Sequence, residues 1–201
     1  AVVVPTEGYI TESEVDRDEE RPVRIHNELH AYNKLVMANE MAEALVVLHT
    51  YPGGTIIHDD IQLSQFLYTS EGTIKLNDFN RAEIMLYSDT DPTDKCKYHN
   101  GPGNGSMRAP EEYRDDPLDA KIDTYSFGNC IYSLLTGLWP FAEIDSHKKL
   151  KDAILKEHAR PWLDSRIAKR SFEEEQLAAI LERCWVYDAD DRATMVEVVR
   201  L

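Results

Sequence analysis

The chain has no apolar run long enough to cross a bilayer, which takes about 20 consecutive apolar residues; the longest, 42–48, is interrupted by Glu43. The N-terminus, Ala1-Val2-Val3-Val4-Pro5, lacks a basic stretch, an extended apolar core and a cleavage motif, so it does not read as a signal peptide. Because it opens on Ala1 instead of methionine, the chain is expected to be trimmed or taken from a longer reading frame. Cysteine is scarce: Cys96, Cys130 and Cys184 are widely spaced, with no C-x-x-C pair. Cys130 and Cys184 fall in apolar helical patterns and read as small core residues, and an intracellular, cytoplasmic setting is expected. Positive charge is also short, with 22 basic against 37 acidic residues and a formal net charge of −15. That field repels nucleic acid phosphates and anionic membrane surfaces, so neither is an expected partner of this segment. No G-x-G-x-x-G accompanies a strand. The one glycine cluster, Gly101-Pro102-Gly103-Asn104-Gly105, has the wrong spacing, and Pro102 removes an N–H that a phosphate cradle would need. It reads as a flexible linker.

What is present suffices for one domain with a sizeable core, at 201 residues and 42% hydrophobic content. Residues 2–4 read as the end of a strand, 5–8 as a turn, and the acidic stretch 12–20 as a solvated linker. Leu35, Val36, Ala42, Leu45, Val46 and Leu48 predict a helix over 32–49, ended by Tyr51-Pro52-Gly53-Gly54. Phe66-Leu67-Tyr68 and Thr73-Ile74-Lys75-Leu76, flanking Thr69-Ser70-Glu71-Gly72, predict a small hairpin. Residues 87–108 are loop-like. Helical patterns follow over 122–138, 146–158, 173–186 and 192–200, so the second half is expected to be almost all helix.

Two aspartates carry the chemistry: Asp60 in His58-Asp59-Asp60, and Asp78 in Asn77-Asp78-Phe79. Phosphoryl transfer needs one carboxylate to orient the attacking hydroxyl and another to hold Mg²⁺ on the nucleotide phosphates. A loop and a hairpin could deliver that pair. His-Asp-Asp alone is a weak signal, shared by many surface turns, and a hydrolytic metal site would need further His or Asp ligands nearby.

The wider pattern is specific. His58 to Gln65 resembles the protein-kinase catalytic loop H-R-D-L-x-x-x-N, Asp78-Phe79-Asn80 resembles D-F-G, and Ala109-Pro110-Glu111 matches A-P-E. Asp123 to Gly128 resembles the start of the family's central helix. Cys184-Trp185, Asp188 and Arg192-Ala193-Thr194 resemble its closing elements, and Leu45 to His49 the end of the helix before the catalytic loop. The chain is therefore identified as a resemblance to the eukaryotic-type protein kinase domain, in its large C-terminal lobe. The implied fold is mainly α: a helical bundle around a central helix, with a small β-hairpin carrying the catalytic and magnesium loops. Implied boundaries are 1–10 for the last small-lobe strand and hinge, 11–31 for the acidic linker, and 32–201 for the C-terminal lobe. Within that lobe lie the catalytic loop 58–66, the magnesium loop 78–80 and the activation segment 78–111.

The resemblance implies that Asp60 orients the substrate hydroxyl, with Gln62 beside the moving phosphoryl group, and that Asp78 and Gln65 are the Mg²⁺ ligands. His58 and Phe79 would be packing residues, and Glu111 would pair with Arg192. Asp123 would accept backbone N–H bonds from the catalytic loop, and Arg108, Ala109 and Pro110 would shape the peptide-substrate groove. Four positions depart from the family pattern. Asp59 stands where an arginine would bind an activation-loop phosphate, so control by loop phosphorylation is not expected. Gln62 replaces a lysine, Gln65 an asparagine and Asn80 a glycine. No V-A-I-K lysine appears, so the small lobe is expected to be missing and to pack on this lobe. Mg-ATP binding by these residues alone is expected to be weak or absent. The implied activity is ATP-dependent phosphoryl transfer to Ser, Thr or Tyr of a protein substrate. A pseudokinase scaffold or allosteric module of the same fold is the alternative. A small-molecule phosphotransferase of the aminoglycoside-kinase type stands further off, since it lacks the 109–128 landmarks. Attachment to a membrane through a segment outside these residues stays open.

Overall fold

The computed structural model describes residues 27–87 and 96–201. The expected strand, turn and acidic linker before Asn27 lie outside these residues. Helix α1 (Ala31–His49) buries Lys34, Ala38, Met41, Ala42 and Leu45, a spacing of three and four residues that keeps one face inward. Lys34 tolerates full burial because its ammonium reaches Glu174 at 2.9 Å and the Leu135 carbonyl at 3.2 Å. Past the Pro-Gly-Gly break comes β1 (Thr55–Ile57). A short 3₁₀ turn (Leu63–Gln65) then leads into β2 (Phe66–Tyr68), which pairs antiparallel with β3 (Ile74–Leu76) in the register Phe66↔Leu76. This is the hairpin predicted from Phe66-Leu67-Tyr68 and Thr73-Ile74-Lys75-Leu76 on either side of their turn residues. Strand β4 (Glu83–Met85) pairs antiparallel with β1. It is not marked in the sequence, because its three residues are exposed, exposed and buried, too short to show alternation.

The rest is helical: α2 (Pro110–Arg114), α3 (Lys121–Thr136), α4 (His147–Glu157), α5 (Ser165–Ala168), α6 (Phe172–Cys184) and α7 (Met195–Val198). Every residue of α3 from Ile122 to Thr136 is buried, so this helix is the axis of the fold. It stops at Gly137, whose φ of 77° suits a left-handed cap. Helix α6 lies against it at Gly128, where a Cβ would come within 2.8 Å of the Cys184 Cβ and 3.0 Å of the Trp185 ring. Only a residue without a side chain allows that approach. The Trp185 indole N–H donates to the Asn129 Oδ1 at 3.0 Å across the same contact.

The main core joins α1, β1, α3, α6 and α7. A smaller cluster gathers Tyr113, Phe141, Leu150, Ala153, Ile154 and Ala159 around α4. The pattern over 192–200 yields only the short α7, capped by Thr194 and Glu197 in reciprocal hydrogen bonds. Residues 192–194 are recruited elsewhere, as Arg192 shows below. No helix among the described residues is long and apolar enough to cross a membrane.

Candidate active site

The loop between β1 and the 3₁₀ turn carries His58, Asp59 and Asp60, and it is held from below by α3. Asp123, in the first turn of α3 and 1% exposed, accepts the His58 N–H at 2.8 Å and the Asp59 N–H at 2.9 Å. Its Oδ2 also meets the His49 Nε2 at 2.9 Å, which ties the end of α1 to the same carboxylate. Three donors on one buried acid fix the loop backbone, including the positive φ of 58° at Asp59.

The β2–β3 hairpin brings the second aspartate alongside. The Asn77 N–H donates to the Gln65 carbonyl at 2.8 Å, and the Asn77 carbonyl accepts from the His58 Nε2 at 2.9 Å. A carbonyl partner fixes the Nε2–H tautomer, leaving the buried Nδ1 without a partner among the described residues. The His58 ring also tilts against Phe79, with centroids 5.1 Å apart. Asp78 follows immediately, at a φ of 64°. Its carboxylate is partly exposed and makes no hydrogen bond among the described residues.

The Asp60 carboxylate is held at both oxygens. Arg108 Nη2 lies 3.1 Å from Oδ1, and the Gln65 amide donates to Oδ2 at 3.1 Å, with Gln62 farther at 3.5 Å. Each carboxylate oxygen has a second lone pair, so Asp60 can still accept one more proton donor. Arg108 is shared: its Nη1 is 3.2 Å from Asp59 Oδ1 and 3.2 Å from Glu112 Oε1. Burial pulls the Arg108 pKa down, but Glu112, Asp59 and Asp60 together hold it above the ordinary value. Burial likewise pushes Asp59 up, against the pull of Arg81, Asn100 and Arg108. Glu112, which accepts the Ala109 N–H at 2.6 Å, is pushed up to about 8 by burial, only partly offset by Arg108.

Ala109 and Pro110 are buried, and the half-buried Arg108 is engaged with three acids. Ser106 and Met107 are pinned as well, through Trp139 Nε1 at 2.6 Å and through Ser126 and Asn129 at 2.7 and 3.1 Å. Behind them, Glu111 receives a bidentate fork from Arg192 at 2.6 and 2.9 Å. The other Arg192 donors go to the carbonyls of Val186, Lys121 and Tyr187, and its guanidinium lies 4.9 Å over the Tyr125 ring. All five N–H groups are thereby matched.

Sequence reasoning missed Arg81 and Asn100. Arg81 donates to the Asp59 carbonyl at 3.1 Å and pairs with its carboxylate at 3.3 Å, and Asn100 donates to the same carboxylate. Their only signal is an unpaired acid at position 59. Tyr98 has its hydroxyl oxygen buried without a partner among the described residues, because its backbone bridges to Leu118 at 2.8 and 3.1 Å and carries the ring inward.

No group of three or more His, Cys, Asp or Glu that could hold a metal ion occurs among the described residues. Asp78 and the Gln65 carbonyl, left uncommitted while its amide nitrogen serves Asp60, are hard oxygen donors. Mg²⁺ is commonly held by one or two such groups plus substrate phosphates, so the donor set fits a nucleotide-borne magnesium and not a protein-caged one.

Comparison with solved structures places the fold. The chain is similar to titin kinase with its flanking domains, at a TM-score of 0.68 and 22% identity, over 87% of this chain and 29% of that one. A family profile, the protein kinase domain, matches residues 16–201, and the chain belongs to that family. It is 30% identical to a putative serine/threonine-protein kinase/receptor, R831, of Acanthamoeba polyphaga mimivirus, over 84% of this chain and 9% of the relative. It is 26% identical to dual specificity protein kinase shkE of Dictyostelium discoideum, over 84% and 22%. Identity is also 26% with serine/threonine-protein kinase 12 of Arabidopsis thaliana, over 81% and 33%. The chain thus spans a third or less of the length of each of these relatives.

Proposed function

We propose that these residues form the large lobe of a protein kinase that transfers the terminal phosphoryl group of ATP to a hydroxyl of a protein substrate. Serine or threonine is the favoured acceptor, on the names of the relatives. One observation carries the reading. Asn77, next to Asp78, is hydrogen-bonded both to His58 and to Gln65, the residues that bracket Asp60. Two carboxylates on loops stapled together in this way suit one shared nucleotide and acceptor. Asp60 orients the hydroxyl and takes its proton as the oxygen–phosphorus bond forms and the bond to the ADP oxygen breaks. Asp78 and Gln65 hold Mg²⁺, which supplies charge neutralisation on the phosphates when bound. A small lobe packs over exposed apolar side chains such as Leu67 on the hairpin and Phe79 just after it. The setting is intracellular, where ATP is available.

A pseudokinase is the second reading, favoured by the Arg108–Asp60 ion pair, which occupies one oxygen of the carboxylate, and by Gln62 and Gln65. Transfer of labelled phosphate from ATP to a generic acceptor protein separates the two. Asp60→Asn and Asp78→Asn are each expected to reduce the rate by at least about a thousandfold, the scale on which acid–base and metal contacts act. A full-length wild-type protein, small lobe included, with no transfer in either Mg²⁺ or Mn²⁺ is the scaffold. Full activity in either variant removes the assignment.

A further inference from the structure

Asp59 has no part in the transfer step, yet it is among the most heavily engaged side chains of the molecule. It is 2% exposed and sits at a positive φ of 58°. An acid in that position needs strong compensation, because an unpaired buried charge costs several kcal/mol. The compensation arrives from three places along one stretch of chain. Arg81, three residues after Asp78, reaches both the Asp59 carbonyl at 3.1 Å and its carboxylate at 3.3 Å. Asn100 donates to Oδ2. Arg108, immediately before Ala109, donates to the Asp59 carbonyl and to Oδ1, at 3.2 Å for the latter. The two ends of the activation segment therefore meet on one catalytic-loop carboxylate, with basic groups on the segment and the acid on the loop. The Arg108 guanidinium then continues to Asp60 at 3.1 Å, so the orientation of Asp60 depends on where Asp59 holds Arg108.

We propose that Asp59 is a positioning residue that fastens both ends of the activation segment to the catalytic loop through Arg81 and Arg108 and, through Arg108, sets the carboxylate of Asp60. The positive charges that hold the segment belong to the segment itself, so the fastening needs no added phosphate. A phosphoryl group placed beside Asp59 would compete for the same two arginines and loosen the segment. The claim about Asp60 rests on the reading that Asp60 receives the acceptor hydroxyl; the claim about the segment does not.

Hydrogen–deuterium exchange tests the fastening without requiring turnover. Asp59→Asn is expected to speed amide exchange about tenfold or more in both 81–87 and 96–108, while α3 amides stay protected, since charge-assisted bonds at both ends are lost. Arg81→Ala, whose side chain is 42% exposed and whose loss leaves the core intact, is expected to speed exchange in 81–87 alone. Unchanged exchange in both flanks of Asp59→Asn overturns the proposal. If Asp59→Asn unfolds and α3 loses protection too, Arg81→Ala decides, and no change in 81–87 then overturns it. Where phosphate transfer is measurable, Asp59→Asn should lower kcat about tenfold or more at nearly constant KM for ATP, with Arg108→Lys recovering part of what Arg108→Ala loses. A loss confined to KM overturns the link to Asp60. A full-length wild-type protein, small lobe included, without transfer removes the phosphoryl-transfer reading and leaves the exchange result to judge the fastening.

Discussion

Glu112 shares the Arg108 guanidinium with Asp59 and Asp60 while being 2% exposed, and that crowding gives it an unusual dependence on proton concentration. Its carboxyl titrates at about 8 in the folded chain, far above the about 4.3 of an exposed glutamate. The fold therefore binds this proton more tightly than the unfolded chain does. Its contribution to stability is full below the unfolded value and is lost as pH rises through about 8. The melting temperature is expected to decline across that window. Glu112→Gln keeps an oxygen for the Ala109 N–H but has no proton to lose, so its melting temperature should be flatter between pH 5 and 8.5. Parallel slopes in the two proteins would contradict this account. Asp59, raised in the same direction, leaves some residual slope in the variant.

Among elements, α3 and α6 approach so closely at Gly128 that a side chain there has no room. Gly128→Ala places a methyl 2.8 Å from the Cys184 Cβ, where neither backbone can yield without disturbing the Trp185–Asn129 bond. A loss of about 1–3 kcal/mol is expected, as for other overpacked cores, and urea denaturation measures it. An unchanged midpoint would mean that the helices do not approach as described. Long elements were the legible part of this chain. Helices α1, α3, α4 and α6 announce themselves because each repeats apolar positions over three or more turns, and the β2–β3 hairpin because a turn sequence separates two strand-like runs, 66–68 and 73–76. Strand β4 and helices α2 and α5 span five residues or fewer, below the length at which a period can be read. In the site, Asp60, Asp78, Asp123, Glu111 and Arg192 could be picked out because each stands in a short motif. Arg81 and Asn100 could not, since their shared partner lies 22 and 41 residues away and nothing local marks them.

Across the whole molecule, Glu111 and Arg192 join helix α2 to the stretch just before α7. With the Arg192 side chain 0% exposed and all its donors matched, Arg192→Ala leaves Glu111 buried and uncompensated. That is expected to cost about 3–5 kcal/mol, as for other severed buried pairs, and denaturant unfolding would show it as a large drop in midpoint. A cost under about 1 kcal/mol would show that water reaches Glu111 and that the pair is dispensable.

The same tie has a consequence for how the polypeptide is made. Glu111 leaves the ribosome 81 residues ahead of the arginine that neutralises it. At synthesis rates of about 5–20 residues per second, several seconds pass before the two can meet. During that interval the nascent chain has most of α3 in hand but no cation to seat the acid beneath it. A nascent-chain series stalled at increasing lengths should therefore become protease-resistant in this region only once Arg192 has cleared the exit tunnel.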